Sequence, residues 1–342
     1  MSFTFKRRIS RLEKLKVLVT RRIPEPGLDI LREHFDVTVN PHDRVMTKQE
    51  IIEGLKDMDG LLCLLTDPID AEIMDAGNKL RGIANYAVGF NNIEVAEATK
   101  RGLPVTNTPG VLTETTADFA WTLLMATARR VVEADKFTRE GKYDGWAPML
   151  FLGADIHGKT LGLIGLGRIG SAVARRASGF DMKVLYFDER RLSPEEEAKL
   201  GVEFATKEQI LKEADFISLH VPLLPSTRHL ISEKELNMMK KTAILINTAR
   251  GPVVDEVALV KALKDGVIAG AGIDVFENEP ELAEGFKDCY NAVIPPHIAS
   301  ASVETRTKMA TMAASNLVQM LKGEVPTNIV NPEVYEIGRA HV

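Results

Sequence analysis

Two cysteines in 342 residues, Cys63 in an apolar run and Cys289 beside Tyr290, are too few and too scattered for a disulfide framework or a zinc site. That usage suits a reducing compartment, and a cytoplasmic location is expected. No apolar run approaches the roughly twenty residues needed to span a bilayer. The first twenty-two residues carry eight Lys or Arg and a single acid, Glu13, yet they hold no apolar stretch of the kind a leader peptide needs, and Lys16 to Thr20 already reads as a strand. A solvated basic extension is the expectation. The 43 basic and 48 acidic residues leave a net charge of −5, so the balance offers no footprint for nucleic acid. No His, Cys, Asp or Glu cluster has metal-ligand spacing, and no metal requirement is expected. Internal repeats and low-complexity tracts are absent as well.

What is present centres on Thr160 to Asp188. An apolar run, Leu161 to Ile164, meets Gly165, Gly167 and Gly170, and a helical pattern through Ala172, Val173, Ala174 and Ala177 follows. Gly165 lets the turn close, Gly167 lets a pyrophosphate approach the backbone, and Gly170 lets the helix pack on the strand. The first helical N–H groups and the helix dipole then favour phosphate. A second strand, Met182 to Phe187, ends in Asp188, where an acid can hold both ribose hydroxyls of an adenosine. Glycine turns also arise for purely conformational reasons, but here strand, helix, second strand and acid fall in register. Asp188 would repel a 2′-phosphate, which favours NAD (as NADH) over NADP (as NADPH), although Arg190 and Arg191 come directly after it and work against that preference.

The length suits two domains, and 45% apolar residues suffice for two cores. From Leu15 to about Val105, short apolar runs alternate with helical patterns, which implies a parallel sheet covered on both faces. Thr47 with Glu50 has the capping-box spacing. Thr106 to Gly110 breaks the pattern, and one long helix is expected from about Glu114 towards Glu140, apolar enough to be buried between units. Thr116 near its start is either a cofactor contact or a cap. Gly141 to Gly153 then carries Trp146, Met149, Leu150 and Phe151 without helix or strand period. In a monomer these would be exposed, so a homodimer is expected, with the segment covered by the partner or lying over the active site.

A second α/β unit runs from Thr160 to about Pro295, and Arg306 to Leu321 makes a final helix that returns to the first. The expected architecture is therefore α/β, with two doubly wound parallel-sheet domains. A flavodoxin-like substrate domain (1–106 and 297–342) contains an inserted Rossmann nucleotide domain (107–296). The closing residues, Gly338 to Val342, read as disordered.

Ligands of open parallel sheets bind beyond the carboxyl ends of the strands. Directly after three apolar runs come Asn247-Thr248-Ala249-Arg250-Gly251, Asp274 to Pro280, and Pro295-Pro296-His297-Ile298-Ala299. Taken singly, Arg250 fits a surface ion pair, Glu279 a loop carboxylate and His297 a loop histidine. Together they make one reaction. Hydride addition to a carbonyl creates an alkoxide that must be protonated, and histidine is suited to donate near neutral pH. A neighbouring carboxylate such as Glu279 orients the ring, and Arg250 offers a fixed fork for a substrate carboxylate.

The glycine fingerprint, Asn247 to Gly251, Asp274 to Pro280 and Pro296 to Ala299 resemble, in that order and over nearly the whole chain, the signatures of the D-isomer-specific 2-hydroxyacid dehydrogenases. The resemblance implies an NAD-dependent oxidoreductase with Arg250, Glu279 and His297 as its catalytic set. It also implies cofactor contacts at Arg168, Ile169, Val221, Pro222, Thr248, Arg250, Asp274 and His297. The loop Asn85-Tyr86-Ala87-Val88-Gly89-Phe90 looks like that of glyoxylate and hydroxypyruvate reductases, which implies that the Val88 and Gly89 amides, with Arg250 and His297, hold the substrate; glycine there serves a turn equally well. Phosphoglycerate dehydrogenase, and a non-catalytic NADH-sensing corepressor-like protein, are the alternatives. Formate dehydrogenases share the fold but carry Gln where Glu279 stands.

Overall fold

The computed structural model describes residues 14–337. The basic start up to Glu13, and Gly338 to Val342, lie outside the described residues. The chain forms two compact units, one from residues 1–111 and 303–342 and the other from Leu112–Ser302.

In the first unit, β1 (Lys16–Val19), β2 (Asp36–Val39), β3 (Gly60–Leu64), β4 (Ile83–Tyr86) and β5 (Val105–Thr106) form a wholly parallel sheet in the order β2-β1-β3-β4-β5. That is the flavodoxin-like order. β3 and β4 are buried almost throughout, as strands covered on both faces must be. Helices α1 (Glu25–His34), α2 (Lys48–Leu55), α3 (Ala71–Ala76) and α4 (Val95–Lys100) connect them. Thr47 and Glu50 make the reciprocal capping box at the start of α2. The C-terminal helix Val303–Leu321 packs against α1, and the two helices approach so closely at Gly27 that a Cβ there would lie 2.7 Å from the Cβ of Ala310.

The second unit is built on β6 (Thr160–Ile164), β7 (Lys183–Phe187), β8 (Glu203–Phe204), β9 (Phe216–Leu219), β10 (Ile244–Asn247), β11 (Gly270–Ile273) and β12 (Ala292–Val293), all parallel, in the order β12-β11-β10-β9-β6-β7-β8. Counted from β6, this is the Rossmann order 3-2-1-4-5-6 with a seventh strand added. α5 (Thr113–Ala128) lies in this unit's own core, where Trp121 donates from Nε1 to the Val173 carbonyl at 3.0 Å and stacks on Phe180.

The single long helix expected from Glu114 to Glu140 is instead two. α5 stops at Ala128, Arg130 adopts a left-handed conformation (φ 54°), and α6 (Val131–Arg139) starts afresh. The cause is tertiary. The Ala154 N–H donates to the Ala128 carbonyl at 2.8 Å, and at Gly153 the returning chain comes so close to that carbonyl that a side chain would overlap it. Phe151, expected to be exposed, is partly buried, with its ring edge-on to Phe137 and the Arg130 guanidinium 5.0 Å from its centre. No helix among the described residues is long and apolar enough to cross a membrane.

Candidate active site

The second unit opens its ligand edge at the turn between β6 and α7 (Arg168–Ala177). Gly165 has φ 95°, and a Cβ there would lie 2.6 Å from the His220 carbonyl oxygen and 3.0 Å from Val221. A Cβ at Gly170 would overlap the Gly165 carbonyl. At Gly167, by contrast, no atom lies within 4 Å of where a Cβ would stand. Two of the three glycines are therefore packed shut and the middle one faces open space, which is the arrangement a pyrophosphate on the helix N-terminus needs. Arg168 and Ile169 begin that helix. Asp188, just past β7, accepts from the Leu166 N–H at 2.7 Å and the Arg190 N–H at 3.2 Å, so its carboxylate is anchored at the turn. Val221 and Pro222 come after β9, and the Pro222 carbonyl accepts from the Thr227 hydroxyl at 2.6 Å. The Thr248 hydroxyl oxygen is buried with no hydrogen-bond partner, which leaves it able to bond a group placed at this edge. These residues fit a dinucleotide.

The adjacent strands β10, β11 and β12 release their chains at the same edge. At the end of β10, Asn247 closes a turn on itself: its Oδ1 accepts from the Ala249 N–H at 3.0 Å and its Nδ2 donates to the Arg250 carbonyl at 2.9 Å. The Arg250 guanidinium donates to the Ala249 carbonyl, and burial pulls its pKa down from the ordinary value against the opposing charge of Glu279. After β11, the buried Asp274 accepts from the Ile298 and Ala299 N–H groups, both at 2.8 Å, and fixes the segment after β12. Burial nonetheless raises its pKa. Held this way, His297 takes a left-handed backbone (φ 55°), uncommon outside glycine although histidine is among the residues that tolerate it. Its Nδ1 faces Glu279 Oε2 at 2.9 Å, while the other carboxylate oxygen of Glu279 accepts from the Phe276 N–H at 2.9 Å. Both side chains are about a quarter to a third exposed (27% and 30%). Arg250, Glu279, His297 and Asp274 thus come together within one unit, which spans Leu112–Ser302 and so includes His297, where the sequence reading placed the boundary at 296/297.

Thr116 lies in the first turn of α5, buried, with its N–H bonded to the Leu112 carbonyl. The N-cap is Leu112, so Thr116 is not the cap. The His220 ring lies against the Ser218 hydroxyl at 2.9 Å, and desolvation lowers its pKa to about 4. His229 is tied to Glu277 at 2.6 Å, beside Arg228. Among the described residues no group of three His, Cys, Asp or Glu could hold a metal.

In the first unit, Val88 and Gly89 come after β4 as expected. Their amide groups make no hydrogen bond among the described residues, while the carbonyls around them are all engaged: Ala87 O by the Thr108 N–H at 2.8 Å, Val88 O by Asn107 Nδ2 at 2.8 Å and Gly89 O by Asn85 Nδ2 at 2.9 Å. Asn85, Asn107, Asn247 and Gly251 lie against the candidate site residues, and sequence reasoning assigned none of them a role of its own. Only Asn247, an Asx position at the end of a strand, carried a local signal.

Residues 121–299 match the family model described as D-isomer specific 2-hydroxyacid dehydrogenase, NAD binding domain. A glyoxylate reductase of Korarchaeum cryptofilum is 57% identical over 95% of this chain and 98% of its own, and one of Thermococcus gammatolerans is 53% identical over 95% and 98%. Among solved structures, the NADPH-dependent glyoxylate/hydroxypyruvate reductase of Sinorhizobium meliloti, in complex with NADP and malonate, superposes with a TM-score of 0.83 at 34% identity, covering 93% of this chain and 97% of that one.

Proposed function

The chain belongs to the D-isomer-specific 2-hydroxyacid dehydrogenases and is an oxidoreductase acting on the CH–OH group of hydroxy acids, and from that premise we propose that it reduces a small 2-oxo acid, glyoxylate or hydroxypyruvate, using NADH. The observation that carries the proposal is the His297–Glu279 pair, 2.9 Å apart on the ligand edge of the nucleotide-binding unit. With Nδ1 committed to Glu279, the other ring nitrogen of His297 is free to protonate the alkoxide as it forms. Arg250, half-buried and charged, supplies a guanidinium for the substrate carboxylate, and in the first unit the Val88 and Gly89 amides supply carboxylate-binding N–H groups in the manner of a backbone nest. A bound nicotinamide supplies the hydride. The turn around Gly165, Gly167, Arg168, Ile169 and Gly170, with Asp188, Val221, Pro222, Thr248, Asp274 and Thr116, binds the dinucleotide.

Preference for NADH rests on Asp188, anchored where a ribose would sit. Of the two arginines beyond it, Arg191 is committed to Glu197 at 2.9 Å and lies 5.0 Å from the Phe204 ring, so it is not free to greet a 2′-phosphate. The test is one assay at 340 nm with glyoxylate, hydroxypyruvate and pyruvate against each cofactor. Glyoxylate and hydroxypyruvate should turn over fastest, and kcat/KM for NADH should exceed that for NADPH by at least about tenfold, a difference of ~1.4 kcal/mol. Tight NADH binding without turnover of any 2-oxo acid overturns the enzymatic proposal; a tenfold preference for NADPH overturns the role of Asp188.

We also propose a homodimer. Trp146 is 83% exposed, Met149 76% and Val131 and Val132 of α6 54% and 53%, so these large apolar side chains are uncovered among the described residues, as interface residues of a single protomer would be. Light scattering at micromolar concentration should return twice the chain mass; the mass of one chain would refute it. Cys63 and Cys289 are unpaired and buried, in keeping with a reducing cytoplasm.

A further inference from the structure

A peptide group is planar and trans, so its C=O and N–H point in opposite directions. Whatever grips the carbonyl of one residue therefore aims the amide of the next. The Ala87 carbonyl is gripped by the Thr108 N–H at 2.8 Å, which turns the Val88 N–H away from residues 107–108, and the Val88 carbonyl is gripped by Asn107 Nδ2 at 2.8 Å, which turns the Gly89 N–H the same way. The first grip is made by backbone and survives almost any substitution. The second depends on one side chain. Asn107 is itself fixed at both backbone atoms, its N–H on the Asn328 carbonyl at 3.3 Å and its carbonyl on Asn316 Nδ2 at 3.1 Å, while Asn328 Nδ2 donates to Asn316 Oδ1 at 3.2 Å. Asn85, held by a reciprocal amide pair with Asn92, grips the Gly89 carbonyl in turn.

We infer that Asn107 is a positioning residue for the substrate carboxylate: its side-chain amide holds the Val88–Gly89 peptide so that the Gly89 N–H faces the ligand rather than the protein. The inference rests on the proposal that the Val88 and Gly89 amides bind that carboxylate. Asn107 does not touch the substrate. Its effect passes through one carbonyl, and it is a donor's effect, so shape and chemistry can be separated. Aspartate has nearly the same shape as asparagine but, ionised, can only accept. In Asn107→Asp, carboxylate and Val88 carbonyl repel, and the peptide is driven to rotate its N–H inward.

The experiment measures, for Asn107→Asp and for Gly89→Pro, the KM for glyoxylate, the inhibition constant of oxamate as a non-reacting carboxylate probe, and the NADH dissociation constant by fluorescence. Hydrogen bonds to a charged group set the scale, so Asn107→Asp is expected to raise both oxo-acid constants on the order of ten- to a hundredfold, with NADH binding within about twofold of wild type. Asn107→Ser, which keeps a donor, should fall between, and it serves in place of the aspartate variant should that one fail to fold. Gly89→Pro, which deletes the N–H outright, should match or exceed the loss. If Gly89→Pro weakens oxamate and the Asn107 variants do not, the amide site stands and the inference about Asn107 is overturned. If neither weakens it, the amide site itself falls and takes the inference with it. A parallel loss of NADH and oxamate binding would make Asn107 a general structural residue and refute a positioning role.

Discussion

His297→Ala is expected to lower kcat for reduction of glyoxylate with NADH by about 10²–10⁴-fold, while the NADH dissociation constant and the KM for glyoxylate change little. Hydride arriving at the carbonyl carbon leaves negative charge on oxygen, and without the imidazole that charge must wait for water. Binding is spared because Arg250 and the glycine turn do not depend on the ring: Arg250 is placed by Asn247 and β10, and the turn by β6 and α7. Glu279→Gln should give a smaller loss. The amide oxygen of Gln can still accept from Nδ1–H and keep the ring aimed, so the residual defect reports the missing charge. Burial alone would raise the Glu279 carboxyl, but the hydrogen bond from His297, the His297 charge, the Phe276 N–H and Arg250 outweigh it and hold the carboxyl below its ordinary value of 4.5. An acid with a depressed pKa keeps its charge until the pH falls through that lowered value. Any acid limb of kcat/KM caused by Glu279 must therefore lie below pH 4.5, and it should vanish in the Gln variant. Turnover by His297→Ala within threefold of wild type would remove His297 from the reaction.

Whether a residue's role is local decides how much of it can be read from the chain. Gly165, Gly167 and Gly170 were legible because a strand, a turn and a helix in ten residues leave glycine few other reasons to recur at that spacing. The convergence of Arg250, Glu279 and His297 on one edge was legible because each follows an apolar run, and parallel strands deliver the residues beyond their carboxyl ends to one edge. The break between α5 and α6 was not, since helical periodicity runs straight through Arg129 and Arg130; only the returning chain at Gly153 and Ala154 interrupts it. The attachment of Ile298 and Ala299 to the second unit was hidden for a similar reason: Asp274 ties them there through side-chain bonds that span more than twenty residues. The capping boxes at Ser193/Glu196, Thr206/Gln209 and Ser232/Glu235 are local signals that do announce three helices of that unit. Asn85 and Asn107 had no one-dimensional signature at all, because what they do is grip carbonyls that the fold brings to them.

The same distinction bears on Gly251, which stands in the Asn247 to Gly251 motif but was assigned no role of its own there. It stands next to Arg250, and a Cβ there would overlap the carbonyl of Phe276 and crowd the N–H of Glu277. Its neighbours are backbone, which cannot swing aside as a side chain can, so Gly251→Ala must push the β10 and β11 loops apart. Overpacking of this kind costs about 1–3 kcal/mol and occasionally more, and at about 2–4 °C per kcal/mol for a domain of this size a fall in Tm of several degrees is expected. The larger effect is on chemistry. Arg250 stands on one of the separated segments and Glu279, anchored by the Phe276 N–H, on the other; His297 moves with Glu279. A shift near 1 Å at a reacting centre is enough to cost about 10²-fold in rate, so kcat/KM for glyoxylate should drop by at least that factor at temperatures where circular dichroism shows the variant still folded. NADH affinity should fall far less, because Gly165, Gly167, Gly170 and Asp188 lie on β6, α7 and the end of β7, away from the wedge. A variant as active and as heat-stable as wild type would mean that the 250 and 276 backbones do not hold each other in register, and that the placement of Arg250 against Glu279 has some other cause.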